Sequence, residues 1–297
     1  MFLSMCLDIA GAGPGGETIS AFKQRAAAIE AAEPDVVILA AEGDDGAILP
    51  PKLEALVDSS WITGTLRTPC VVAGLPAGHA VPFHVARALS AVDFLSAGRV
   101  GWMPIATNGA EFDGAYGETR DDADLVARTD DFILATQALW DSWDEDALII
   151  DKQSGEYLDS TKVRRVDYRG KFYSTMGPLN AARPPQGYPV LVRDVDTVSG
   201  AETKADIAIG TVASLAGDDA GIKLIRVDAS DAAALADAKA AVAAGTANGL
   251  HLTGPAALDA LTALRAEAAK PAASAKTARQ SLGLDKPANA YVEGALS

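Results

Sequence analysis

The sequence predicts an α/β protein, a (βα)8 TIM barrel, and three observations predict it. Short apolar runs alternate with longer helical patterns, the runs number eight, and 297 residues suit one barrel domain. Most runs are β-branched without strict alternation, as parallel strands covered on both faces require. The expected strands are 2–7, 36–41, 70–75, 100–106, 190–193, 206–210, 222–227 and 249–253.

The first run, in MFLSMCLDIAGAGPGG, has no basic stretch ahead of it and is short, so it reads as a strand rather than a signal peptide. GAGPGG (11–16) then follows as a flexible βα loop, lacking the glycine spacing of a dinucleotide site. Cys6 and Cys70 sit in strand-like runs without a CxxC motif, which predicts buried reduced thiols. After the third run, Val85, Ala88, Leu89, Val92 and Leu95 form one helical face. Phe132, Ile133, Thr136, Leu139, Trp140 and Trp143 form another after the fourth.

Residues 144–188 break the rhythm between the fourth βα unit and the fifth strand. A structured excursion of that length from a barrel is expected to be a lid or binding loop. Further on, Ser230 is the expected N-cap of an alanine-rich helix closed by Gly245. Pro255 opens another helix running to about Lys270. The tail, 270–297, reads as an extended wrap with one short helical turn. The whole chain, 1–297, is therefore expected to be a single domain.

Composition excludes more than it identifies. A formal net charge of −15 argues against nucleic acid and against an anionic membrane surface. No apolar run is long enough to span a bilayer, so a cytoplasmic protein is expected. His79, His84 and His251 are scattered, without clustered carboxylates or thiols, so no metal site is expected. Asp141, Asp144, Glu145 and Asp146 read as a solvated helix end. Arg164, Arg165, Arg169 and Lys171 read as a basic patch paired with nearby Asp.

A family likeness enters between Pro82 and Leu191. Pro82-Phe83, Ala86-Arg87, Asp93, Gly98-Arg99 and Gly101-Trp102 fall in a run that resembles the bacterial-luciferase-like flavin monooxygenases. ALWDSWDEDAL (138–148) and VDYRGKFYSTMGPLNAARPPQGYPVL (166–191) are similar to the long insertion of the nitrilotriacetate and dibenzothiophene-sulfone monooxygenase branch. SLGLDKPANAY (281–291) resembles that branch's ending. The resemblance implies a two-component oxygenase: a separate reductase supplies reduced FMN, which with oxygen attacks a small organic substrate. It also implies pairing of early barrel helices in a homodimer, or with a paralogous subunit.

Carried over by position, the resemblance implies a phosphate site at Arg193, Thr197, Ser199 and Gly200. Trp102, Thr107 and Asn108 would line the flavin ring or the substrate pocket, and His79 and Met103 the substrate pocket; no residue is assigned the catalytic step. The departures fall on the cofactor positions. The acid that ends the second strand in the family aligns with Ala41. Glu42, one residue on, is expected to face the other way. Met103-Pro104 stand where the family has a ring-contacting Asn, and Asp122 and Val126 stand where it has His and a phosphate-binding Tyr. Two readings stay open: an FMN-dependent monooxygenase, or a catalytically silent barrel that binds another ligand or pairs with an active subunit.

Overall fold

The computed structural model describes residues 1–9, 17–43, 46–49, 54–106, 122–197, 201–267 and 277–292, with positions 79, 122 and 123 described by backbone alone. All eight expected strands form: β1 (Phe2–Asp8), β2 (Val36–Glu42), β3 (Cys70–Pro76), β4 (Val100–Ile105), β5 (Val190–Asp194), β6 (Ile207–Gly210), β7 (Ile222–Asp228) and β8 (Gly249–Thr253). They run parallel in chain order, and β1 pairs with both β2 and β8, which closes the barrel.

The helices are α1 (Ile19–Ala31), α2 (Ala55–Ile62), α3 (Pro82–Leu95), α4 (Asp122–Trp140), α5 (Val212–Leu215), α6 (Ala232–Ala243), α7 (Ala257–Glu267) and α8 (Ala278–Leu282). Strand alternation sorts side chains into two layers. One set, including Val36, Ile38, Cys70, Val72, Val190, Val192, Ile207, Ile209 and Leu224, fills the barrel interior. The other set meets the helices in two clusters. Leu3, Leu7 and Leu39 pack under α1, α2, α6 and α7, while Trp102 and Leu191 pack under α3 and α4.

Local chemistry explains the element ends. The N-cap of α6 is Asp231 and not Ser230: its carboxylate accepts from Ala233 and Ala234 N–H at 3.0 and 2.9 Å. An acceptor one residue later reaches the first-turn amides, while the Ser230 N–H is tied to Asp228 at 2.8 Å. Gly245 follows α6 at φ +79, the left-handed turn that ends a helix. Pro255 lies two residues ahead of α7, and residues 268–276 lie outside the described set. Asp206 precedes β6, where its carboxylate accepts from Leu191 N–H (2.8 Å) and Arg279 (2.6 Å).

The insertion packs as a scaffold. Asp141, expected at a solvated helix end, is 1% exposed and bridges three segments. It pairs with Arg183, accepts from the Tyr188 hydroxyl at 2.6 Å, and accepts from Ala290 N–H in the wrap at 3.0 Å. Asp144 is half-buried and grips Arg164 through two bonds of 2.6 Å. Only Glu145 and Asp146 fit the solvated reading; they meet Lys286 and Lys162 at the surface. Within the basic patch, Arg165 pairs with Asp167 at 2.6 Å and Lys171 approaches Asp124 at 3.8 Å. Asp131 accepts from the Tyr168 hydroxyl and from the backbone N–H of Phe172 and Tyr173. A Cβ on Gly170 would fall 1.6 Å from Asp131 Oδ1, so only glycine fits there.

Candidate functional site at the barrel mouth

Ligand sites in such barrels lie at the carboxyl ends of the strands. Here those ends carry charge on one side of the mouth. Glu42 (β2), Arg226 and Asp228 (β7) and Thr253 (β8), with Gly43, Gly46, Asp196, Thr211 and Gly254, line a cleft of about 350 Å3. A short strand, Ile48–Leu49, folds back antiparallel on Ala41–Glu42 and drops Ile48 into the barrel interior beside the cleft.

Arg226 organises the site. Its guanidinium pairs with Asp194 at the end of β5 and with Asp196 at 2.6 Å. Burial alone would depress its pKa, but the two carboxylates outweigh that and raise it, so Arg226 stays charged. Below it, His251 is fully buried. Its Nδ1 is bonded to Ser4 Oγ at 3.0 Å, and its Nε2 has no hydrogen-bond partner among the described residues. Burial, helped by the charge of Arg226, pushes its pKa down to about 3, so the ring is neutral. Glu42 Oε1 lies 3.9 Å from that Nε2. Burial raises the Glu42 pKa above the usual carboxylate range, and it raises the Cys6 thiol well above its own, with the Glu42 charge adding to the effect.

Glu42 corrects the expectation that it faces away from the mouth. It belongs to the interior set with Val36, Ile38 and Ala40, while Ala41 takes the other face. The residues expected to bind flavin are scattered by the same parity rule. Met103 does face the interior. Trp102 faces out, fully buried between Phe132 and Trp140 at centroid distances of 6.2 and 5.4 Å. Arg193 also faces out and is 8% exposed, with its guanidinium 2.6 Å from Thr203 Oγ1 and 3.5 Å from Asp130. Thr197 spends its hydroxyl on Asp194 O at 3.2 Å. His79 ends a one-turn helix, 77–79, after β3; Thr107, Asn108, Ser199 and Gly200 lie outside the described residues.

Two anion-ready positions hold internal carboxylates. Asp130 of α4 accepts from the Glu202 and Thr203 N–H groups (2.7 and 3.2 Å), from the Thr203 hydroxyl and from Arg193. Asp196 accepts from the Thr211 N–H at 3.1 Å, the Ser214 hydroxyl at 2.5 Å and Arg226. Sequence reasoning missed Glu42, Arg226 and Asp196 as a group. The one available signal was charge, since three of the strands end in Asp8, Asp194 and Asp228.

Comparison with known proteins adds a family. The sequence profile described as luciferase-like monooxygenase matches residues 1–288. The dibenzothiophene-sulfone monooxygenase of Rhodococcus erythropolis is 43% identical over 115 residues, 38% of this chain and 25% of the relative. Nitrilotriacetate monooxygenase component A of Aminobacter aminovorans is 34% identical over 131 residues, 43% of this chain and 28% of the relative. The matched stretches thus span about a quarter of these relatives' own length. A riboflavin lyase solved with modified FMN and riboflavin shares the fold at TM-score 0.75 and 19% identity, over 96% of each chain.

Proposed function

The chain belongs to the luciferase-like monooxygenase family, and from that premise we propose that it is the oxygenase of a two-component system acting on a small organic substrate. In that reading a separate reductase supplies reduced FMN, and the protein works in the cytoplasm as a homodimer or beside a paralogous subunit. The bound flavin would activate oxygen; the chain would orient the substrate and exclude water. No described helix is long and apolar enough to cross a membrane.

The observation that carries the reading is the mouth cleft. Its volume of about 350 Å3 lies in the range of small-molecule sites, and its polar groups converge from β2, β7 and β8. The phosphate end of FMN fits less well. Among the described residues the donors placed for an anion serve Asp130 and Asp196, and a phosphate dianion beside either carboxylate would be repelled. The described residues therefore do not supply a phosphate cradle. That mismatch favours a second reading, a family barrel that binds a different ligand or partners an active subunit.

Reductase-coupled oxygen uptake separates the two. The oxygenase reading expects substrate-dependent uptake, with oxygen incorporated into product when small sulfur, amine and carboxylate compounds are screened. Uptake identical with and without the protein for every compound would leave the silent reading.

A further inference from the structure

One cluster in the barrel joins a core cysteine, a buried histidine and a cleft-lining carboxylate. Cys6 on β1, Glu42 on β2 and His251 on β8 come from three adjacent strands, and one donor atom from each lies within 4.8 Å of the others. We propose that Cys6 Sγ, His251 Nε2 and a Glu42 carboxylate oxygen bind a divalent transition metal of the Zn2+ type, with a fourth position open to the mouth cleft.

Four observations point to a metal rather than to a buried polar accident. The His251 ring is fully buried, yet its Nε2 faces the cluster without a hydrogen bond among the described residues. An unmet buried polar atom is destabilising, and a metal bond at that nitrogen would relieve it. The Ser4 hydroxyl, 3.0 Å from Nδ1, can accept its proton and so leave the lone pair on Nε2. Metal-binding histidines are commonly fixed in this way by a second partner.

The donor set is the third observation. A thiolate, an imidazole and a carboxylate suit Zn2+ and its neighbours, and they disfavour Mg2+ and Ca2+, which take all-oxygen shells. Bonds of about 2.0–2.3 Å place tetrahedral donors roughly 3.5 Å apart, so the cluster needs to contract by only about 1 Å. Charge is the fourth. The nearby Arg226 is already paired with Asp194 and Asp196, and a thiolate with a carboxylate neutralises a dication.

Binding is a balanced exchange: the metal forms a bond to Cys6 Sγ as the thiol releases one proton to solvent through the cleft. No electron moves. Glu42 lines that cleft, so an exchangeable fourth ligand has access. Three protein ligands with one open position is the pattern of a reactive or ligand-binding zinc rather than a closed structural one. The inference does not depend on whether FMN binds.

The test uses the full chain, stripped by chelator and titrated anaerobically with Co2+ alone. We expect saturation at one equivalent, with a near-ultraviolet thiolate-to-cobalt band that added Zn2+ abolishes. Cys6→Ser should remove the band and Cys70→Ser should keep it. Glu42→Gln and His251→Gln should each weaken cobalt binding at least about tenfold, and Ser4→Ala about 10–100-fold with the band retained. Circular dichroism checks that each variant is folded, and the half-buried Glu42 remains testable if an interior variant is not. Absence of saturable cobalt uptake by the parent protein would overturn the proposal. So would a thiolate band that persists in Cys6→Ser, or full affinity in folded Glu42→Gln.

Discussion

The insertion side and the mouth side of this barrel treat charge in opposite ways. Around α3, α4 and the insertion, buried carboxylates are fully occupied by neighbouring donors. Asp93 takes the Gln186 side chain at 2.6 Å and the Gln186 N–H at 3.1 Å, while Asp141 holds Arg183, Tyr188 and Ala290. Across the mouth, at β1, β2, β7 and β8, polar groups are buried but incompletely matched. His251 Nε2 and Arg226 Nε lack hydrogen-bond partners among the described residues and Glu42 faces a cleft, whereas the unmet atoms on the insertion side, Trp102 Nε1 and Arg128 Nε, belong to no carboxylate. A closed network fixes shape, whereas an open one leaves capacity for a ligand.

The sharpest way to break this contrast is to open the closed network. Asp141→Ala strands Arg183, which is 5% exposed, and takes acceptors from Tyr188 and Ala290. Removing one partner of a buried ion pair costs about 3–5 kcal/mol, readable by urea unfolding. A loss below about 1 kcal/mol would mean the insertion is not held as described.

Asp93 gives the next effect, as a dependence on pH. Burial raises its pKa to about 6 from the ordinary aspartate value of 3.8, against the lowering influence of the Gln186 bonds and Arg279. Between these values the native state keeps a proton that the unfolded chain has released. Stability from this group therefore falls as pH rises from about 4 to about 6, by about 3 kcal/mol in total. Asp93→Asn should flatten that slope in unfolding curves taken at the two ends of the window. An unchanged slope would place the titration elsewhere.

A smaller effect is expected at Arg193, which sits on the occupied side despite its place at the end of a strand. Arg193→Ala leaves Asp130 with its three bonds from residues 202 and 203, so about 1–3 kcal/mol of stability is lost. Ligand binding at the mouth should not change. Smallest of all is Lys286→Ala, which removes a surface pair with Glu145 and should shift stability by about 0.5 kcal/mol or less.

The contrast also explains what could be read from the chain. The eight strands were legible because each is a compact apolar run between turn residues, and the insertion was legible because its motif is contiguous. Both record packing. The mouth residues carry no motif: Cys6, Glu42, Arg226 and His251 stand on four strands and meet only when the barrel closes. Side-chain parity was the other obstacle. Reading Trp102 and Arg193 as mouth residues required the faces of β4 and β5 that carry them to point inward, and strand pleating turned both toward α4. The same one-residue step brought Glu42 in, beside the Ala41 that aligns with the family's acid.

The central claim is that binding belongs to the cleft beside Arg226 and not to the outward face that carries Arg193. Anaerobic titration of reduced FMN into the parent protein, Arg226→Lys and Arg193→Ala tests it most directly. Arg226→Lys keeps a charge against Asp194 and Asp196 but withdraws the guanidinium fork from the cleft. The account predicts saturable binding, weakened about tenfold or more in Arg226→Lys and unchanged in Arg193→Ala. Binding lost in Arg193→Ala but intact in Arg226→Lys, or no binding of reduced FMN to the parent protein, would contradict it.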